Sequence, residues 1–539
     1  MTYINLPNLN NLNLDFNIIY KNNKSQANIV SDTNDIILCY SLYNYLHILK
    51  QTIDEYYEYW DIIKKITNPY EYIHTIVPNH KCSLCKYKPL SRSFFKMIEI
   101  IDTFGFLNES THIQSFHLAE GPGGFIEAFN YKRNNKQDIY YGMTLISDNV
   151  NIPSWKKATQ LLSNNKNIKL EYGASKNGDL FLKENLIYCY KKYFRAMDYI
   201  TADGGFDFSL DFNNQEDMSF KLILSQIFYA LIMQKQGGNF ILKIFDIFKI
   251  KTIEIIYLLC NLYENVFIFK PNTSRCANSE KYIICRNYKN NNKKIITNII
   301  ENFDLLINKV DTIYSLFNIQ LNQLFITKLQ EINSIYGQQQ LENIKNTINL
   351  IREFKILNIQ YNLLNNNYNS FLKYLNVFNK NLQYTNTIST INDTNDINEI
   401  NEINEINDIN ETNDINDIND INTINDINET NTINTINDTN EINEINDTNE
   451  INETNETNTI NITENSNNKK QLPNIKNVKN NIKNEDIDMS CINISTNISN
   501  ETIIKYFNKL NVLININMQK SINWCKKHQF VINKEFIYK

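Results

Sequence analysis

The sequence predicts an α/β protein whose core is a seven-stranded, mostly parallel sheet with helices on both faces. Three observations lead there. Between residues 114 and 288, short runs rich in Ile, Tyr and Phe alternate with longer runs of helical spacing, the pattern of strands joined by helical crossovers. Eleven of the twelve glycines fall between Gly105 and Gly238, where strand–helix connections are tight. Finally, Ser115–Asn130 reads SFHLAEGPGGFIEAFN: an apolar run, the turn Glu120-Gly121-Pro122-Gly123-Gly124, then a helix entry. In an open α/β sheet such a turn lies at the carboxyl end of a strand, where ligands bind.

The elements follow in order. Residues 1–35 are Asn-rich and aperiodic and are expected to be a flexible tail. From Ile36 to Thr67, Leu38, Leu42, Tyr45, Leu46 and Leu49, then Tyr56, Tyr57, Trp60 and Ile63, recur at helical spacing, so one or two helices are expected. Cys82-x2-Cys85 lies near His74 and His80 but has no second pair at finger spacing, which favours structural thiols over zinc. No metal is expected. Leu90–Phe104 is an amphipathic helix with Phe94, Phe95, Ile98 and Ile101 on one face and Ser91 as its N-cap.

Seven strands are expected at Gln114–Ala119, Ile139–Leu145, Ile168–Tyr172, Met197–Ala202, Asn239–Phe245, Asn265–Lys270 and Lys281–Cys285. The helices between them include Pro153–Leu162, Met218–Gln234 and Lys251–Tyr263. With its N-terminal helices this domain spans 36–295; a helical region follows at 296–380. Residues 381–468 form a low-complexity repeat of Ile/Thr-Asn-Asp/Glu triplets. Apolar residues at every third position make no continuous helical or strand face, so this repeat is expected to be disordered. Residues 469–539 are Lys-rich and partly helical, with a helical pair expected at Ile503–Ile514 and Met518–Lys527; this segment is either a solvated tail or a weak RNA contact.

Charge is unevenly distributed. The formal net charge is −6, but Ile391–Ile460 holds 19 acidic and no basic residues, leaving 40 acidic against 53 basic elsewhere. The remainder is therefore basic, which suits a polyanionic partner. Nine irregularly spaced cysteines argue for reduced thiols in an intracellular compartment, cytoplasm or nucleus. No basic-plus-apolar leader opens the chain, so no secretory signal is expected. Apolar windows such as Ile253–Phe269 contain Glu254, Asn261, Glu264 and Asn265, so no membrane span is expected.

Polar residues gather at the expected strand ends. Asp203-Gly204-Gly205 follows one strand, Lys243 lies within another, and Glu280 precedes the last. A lysine inside a buried strand is costly unless it is paired, functional or reaching water from an edge. Lys96 lies beside aromatic positions on its helix, where a solvated face is the alternative.

The segments SRSFFKMIEI (91–100), HLAEGPGGFIEAF (117–129), ADGGFDFS (202–209), GGNFILKIFDIF (237–248) and KPNTSRCANSEKYIICR (270–286) carry a resemblance. In this order they resemble the motifs of the FtsJ-like RNA 2′-O-methyltransferases, most of all the eukaryotic and viral cap-specific mRNA (nucleoside-2′-O-)-methyltransferases. The resemblance covers about residues 90–288. It implies a Rossmann-like methyltransferase sheet, S-adenosyl-L-methionine as methyl donor, and capped mRNA as the RNA partner, with the capping or transcription machinery nearby.

It also implies a Lys-Asp-Lys-Glu tetrad at Lys96, Asp203, Lys243 and Glu280. Lys243 would orient and deprotonate the ribose hydroxyl, Asp203 would hold Lys243, and Glu280 would orient a lysine. Glu120, Gly121, Pro122, Gly123 and Gly124 would line the donor together with Asp203, and Asp179 would reach its adenosine. Arg92, Lys270, Ser274, Arg275 and Asn278 are the expected RNA contacts. The alternatives are methylation of rRNA or tRNA, and a non-catalytic RNA-binding scaffold. A dinucleotide-binding dehydrogenase is disfavoured because the loop gives G-P-G-G instead of G-x-G-x-x-G.

Overall fold

The structure is a computed structural model and describes residues 3–9, 15–21, 38–108, 111–147, 149, 152–205, 213–289, 293–356 and 500–536. The triplet repeat and Asp148 lie outside the described residues. All seven expected strands form: β3 (Gln114–Leu118), β4 (Ile139–Met143), β5 (Ile168–Glu171), β6 (Met197–Ala202), β7 (Gln234–Ile244), β8 (Tyr263–Phe269) and β9 (Lys281–Tyr288). An eighth, β1 (Ile4–Leu6), pairs antiparallel with β8, while β2 (Ile19–Tyr20) pairs with β10 (Ile313–Ser315) in a separate two-stranded sheet; α5 (Thr159–Asn164) and α8 (Ile250–Leu262) overlap two of the expected helical runs. β1 lies in the stretch expected to be a loose tail. Its alternation is only three residues long, Ile4 and Leu6 buried and Asn5 exposed, too short to stand out in sequence.

The order across the sheet is β1-β8-β9-β7-β6-β3-β4-β5. The five strands β5, β4, β3, β6 and β7 are parallel, and β9 inserts antiparallel between β7 and β8. The order reverses between β3 and β6, which opens a crevice at their carboxyl ends. Residues alternate between the faces of the sheet, as pleating requires. Ile200, Phe240, Leu242 and Ile244 join one core with α6 (Lys183–Tyr193), α7 (Gln215–Met233) and α9 (Lys293–Asn308). Tyr199, Ile241, Tyr282 and Ile284 face α3 (Ser93–Phe104) and α4 (Gly124–Arg133) on the other side. Both faces are thus covered, and the strands carry apolar residues throughout.

Two local expectations change. Ser91 does not cap α3. The helix starts at Ser93 with no side-chain cap, and the Ser91 and Ser93 hydroxyls bond each other at 2.5 Å. The expected C-terminal helical pair is one helix of 28 residues, Asn500–Lys527. Asparagines usually break helices by competing for the backbone. Here the Asn517 side-chain amide instead donates to the Ile66 carbonyl at 2.6 Å. This helix packs with α2 (Tyr57–Thr67) and α10 (Gln323–Ile356) in a core built from Trp60, Ile63, Ile348, Ile351, Phe507 and Leu510. α1 (Tyr40–Gln51) and a 3-10 turn at Asp54–Tyr56 precede α2, so the first expected helical stretch holds two α-helices. None of the helices of the described residues is long and apolar enough to cross a membrane.

His117 sits in the middle of β3, fully buried, between the hydroxyls of Ser115 and Thr201, each at 2.8 Å. Burial lowers its pKa to about 3, so it stays neutral in the folded protein. The unfolded chain, with an ordinary value near ~6.5, takes up a proton that the folded chain refuses. Stability should therefore be complete above that value and fall as pH drops toward the folded one, by about 2 kcal/mol at pH 5. Urea midpoints measured against pH, in parallel with His117→Gln, test this: an equal acid slope in the variant would remove His117 as the cause.

Candidate active site

The glycine-rich turn closes the carboxyl end of β3. The Gly123 amide donates to the Glu120 carbonyl at 2.7 Å, with Gly123 at φ 111°, a conformation that suits glycine. The Glu120 carboxylate turns inward. Its Oε1 accepts from the amides of Phe125 (2.7 Å) and Ile126 (3.1 Å) and so caps the first turn of α4. Burial pushes its pKa well up, with Asp203 adding to the effect. Gly124 has a different task. A Cβ there would collide with the hydroxyls of Ser91 and Ser93, so its bare Cα lets α4 lie against the start of α3. Gly121 and Pro122 form the rim beside Pro153 and Thr144.

Four charged side chains meet beside this turn. Lys96 comes from α3, Asp203 from the end of β6, Lys243 from β7 and Glu280 from the residue before β9. They form two ion pairs: Lys96 Nζ to Glu280 Oε1 at 2.6 Å, and Lys243 Nζ to Asp203 Oδ1 at 3.2 Å. Lys243 also donates to the Asp203 carbonyl at 2.7 Å. Burial lowers the Lys96 pKa against the opposing pull of Glu280. For Glu280, burial works upward, but Lys96 and Lys243 overcome it and hold the carboxyl well below its usual range. The cluster is thus two lysines and two carboxylates at the end of an apolar sheet, with no net charge.

Sequence reasoning missed the residue that joins the pairs. Tyr282 stands opposite Lys243 in the β7–β9 register. Its hydroxyl lies 3.1 Å from Asp203 Oδ1 and 3.4 Å from Glu280 Oε1, so its one proton can go to either carboxylate. Burial raises its pKa well above the usual value, and both carboxylates add to this. The available signal was spacing: two residues after Glu280, a strand returns a side chain to the same face. For the methyl transfer that the sequence resemblance implies, Tyr282→Phe should lower kcat about tenfold to a hundredfold, as loss of a hydrogen bond to a charged group does. Donor affinity, measured by calorimetry, should stay unchanged. A kcat within twofold of the parent would exclude Tyr282 from this role.

The remaining expected residues divide by where their polar groups go. Lys270 is half-buried and donates to the Asn278 carbonyl (2.8 Å), the Asn278 side chain (2.9 Å) and the Glu280 carbonyl (2.8 Å), and desolvation lowers its pKa to about 7. The Ser274 hydroxyl lies 3.0 Å from Glu280 Oε1. Arg275 forks onto the Glu71 carboxylate at 2.7 and 3.0 Å. Four of the five expected RNA contacts thus bond within the protein. Arg92 differs: its Nε is buried and has no hydrogen-bond partner among the described residues. Burial lowers its pKa, helped by neighbouring Arg275. Asp179 follows β5, with Oδ1 accepting from the Phe181 amide at 2.8 Å. Its loop is tied to the end of β4 by the Ile146 amide, which donates to the Asn177 carbonyl at 2.8 Å. Phe206–Ser209 lie outside the described residues. Among the described residues no group of His, Cys, Asp and Glu is placed to hold a metal ion.

Comparison with known proteins adds a family. Residues 89–288 match the FtsJ-like methyltransferase family. A cap-specific mRNA (nucleoside-2′-O-)-methyltransferase of Autographa californica nuclear polyhedrosis virus is 36% identical over 180 residues, 33% of this chain and 65% of that protein. The cap-specific mRNA (nucleoside-2′-O-)-methyltransferase 2 of Danio rerio is 29% identical over 255 residues, 42% of this chain and 32% of that protein. An inactive cap-specific mRNA (nucleoside-2′-O-)-methyltransferase 1B of Caenorhabditis briggsae is 31% identical over 188 residues, 33% of this chain and 22% of that protein. The match therefore spans less than two thirds of each of these relatives.

Proposed function

We propose that the FtsJ-like domain at 89–288 makes this chain an S-adenosyl-L-methionine-dependent enzyme that methylates a ribose 2′-hydroxyl in the cap-proximal nucleotide of mRNA. The observation that carries the reading is the pairing of Lys96 with Glu280 and of Lys243 with Asp203 beside the glycine-rich turn. A relative with a similar degree of identity is named inactive, so identity alone cannot decide activity. The side chains must, and all four are present and paired here.

The crevice suits the donor. Gly121, Gly123 and Gly124 bring no Cβ into the turn after β3, Asp203 follows the neighbouring strand β6, and Asp179 follows β5 on the same carboxyl side of the parallel strands. When bound, S-adenosyl-L-methionine supplies a methyl group on a cationic sulfur. Lys243 then orients the ribose hydroxyl and takes its proton, with Asp203 fixing the ammonium. Lys96, held by Glu280, places a second cation in the same cluster. Tyr282 keeps the two carboxylates at fixed separation. Arg92, whose Nε has no hydrogen-bond partner among the described residues, is the cation for an RNA phosphate next to the acceptor ribose. Capped mRNA as substrate places the enzyme in cytoplasm or nucleus, near the capping or transcription machinery.

Labelled S-adenosyl-L-methionine, incubated with short capped and uncapped RNAs of one sequence and followed by nuclease digestion, tests this. The label should appear on the ribose of a cap-proximal nucleotide. Equal rates on both RNAs would shift the reading to rRNA or tRNA, and no transfer to either would favour the scaffold.

A further inference from the structure

The C-terminal segment 500–536 lies outside the family match at 89–288, yet it packs on the helix that carries Lys96. We propose that this segment is a positioning element of the active site. It fixes the rotational and axial setting of α3, and through it holds the Lys96 ammonium at Glu280. The effect on rate rests on the methyl-transfer reading; the effect on α3 does not.

α3 has only 12 residues, too few for a helix to persist without tertiary support. Besides the packing of Phe104 on β8 and the ion pair of Asp102 with Lys132 of α4, three sets of contacts hold it. Its first turn meets α4 at Gly124. Its middle is tied by Glu99, which accepts from the amides of Asn272 (2.9 Å) and Thr273 (3.0 Å) and from the Thr273 hydroxyl (2.8 Å). The third set comes from the C-terminal segment. The Phe95 ring lies 5.6 Å from Trp524 and 5.8 Å from Phe530, and Phe94 lies 5.9 Å from Phe530. Seven residues after Phe95, Asp102 Oδ2 meets His528 Nδ1 at 2.6 Å. These contacts bracket Lys96 along the helix. Successive residues differ by about 100° around an α-helix, so a slip of one position would swing Lys96 away from Glu280.

The segment is itself anchored to the chain that leads into α3. The Lys86 amide donates to the Val531 carbonyl and the Asn533 amide to the Leu84 carbonyl, each at 2.9 Å, and the Asn533 side chain reaches the Ser83 carbonyl at 2.7 Å. The buried thiols of Cys85 and Cys525 share a hydrogen bond. They provide a reporter of docking that is independent of activity.

The test uses the full chain with a site-specific protease sequence inserted in the acidic repeat. After cleavage, diamide removes two electrons and two protons from a pair of neighbouring thiols. It should join the two fragments through Cys85 and Cys525, and Cys85→Ser should prevent this. Failure of the fragments to join would overturn the inference. In uncleaved protein, hydrogen exchange at residues 93–104 is compared between the parent and Phe530→Ala, with His528→Asn read alone should the first variant unfold. Exchange in α3 should quicken about tenfold while β6 and β7 keep their protection. In the same variants kcat should fall about 10- to 100-fold with unchanged donor affinity. Unchanged protection of α3 would overturn the proposal. A parent chain that transfers no methyl group while α3 responds as described would sink the methyltransferase reading and leave this inference standing.

Discussion

Lys243→Met should lower kcat by ~10³-fold or more, the scale of a lost general base, while donor binding measured by calorimetry stays within about twofold. The side chain contributes its single ammonium at the junction of Asp203 Oδ1 (3.2 Å) and the Asp203 carbonyl (2.7 Å). Methionine keeps the length of the chain and removes the proton carrier. Lys243→Arg is the sharper companion. It preserves the positive charge, but a guanidinium does not give up its proton near neutral pH. If Lys243 acts as a base, arginine should fail almost as badly as methionine. Arginine retaining more than about a tenth of the parent kcat would mean that the site needs only a cation there.

Glu280→Ala should have the largest effect on stability, about 3–5 kcal/mol, because it leaves a buried ammonium without its carboxylate. Lys96 is 2.6 Å from that carboxylate, and Ser274 and Tyr282 also direct hydroxyls at it. The sign of the pH dependence is fixed by the direction of the shift. The Glu280 carboxyl is held well below its usual value in the folded protein, so its stabilisation is complete above ~4.5 and is lost as pH falls below that. Adding Lys96→Met to the alanine variant should recover most of the stability, since the stranded charge goes with it, and none of the activity. Chemical denaturation of the two singles and the double measures the coupling. A single-variant cost below about 1 kcal/mol would show that the pair is exposed enough to be screened.

Much of this was legible in the sequence. The seven strands are short apolar runs bounded by turns, and Lys96, Asp203, Lys243 and Glu280 lie in segments that resemble a family's motifs, so the resemblance named them before their geometry was known. The structure adds how they pair: Lys96 with Glu280 and Lys243 with Asp203. What stayed hidden depends on long-range contact. Tyr282 joins the pairs only because β9 lies beside β7 in one register. Arg275 resembles a surface cation until Glu71, some two hundred residues earlier, closes on it. The C-terminal helix reads as a pair, Ile503–Ile514 and Met518–Lys527, because the carbonyl that takes the Asn517 amide between them, on Ile66, belongs to a distant helix. β1 was too short for any alternation to register.

That short strand has a consequence for handling the protein. β8 would otherwise be the last strand of the sheet, with Val266, Phe267 and Ile268 presenting unsatisfied amides and carbonyls along an apolar ribbon. Ile4, Asn5 and Leu6 take up that ribbon residue for residue. An uncovered border of this kind recruits strands from other molecules. Trimming of the first residues to reach the family boundary would uncover it and invite self-association, although Lys96, Asp203, Lys243 and Glu280 remained in place.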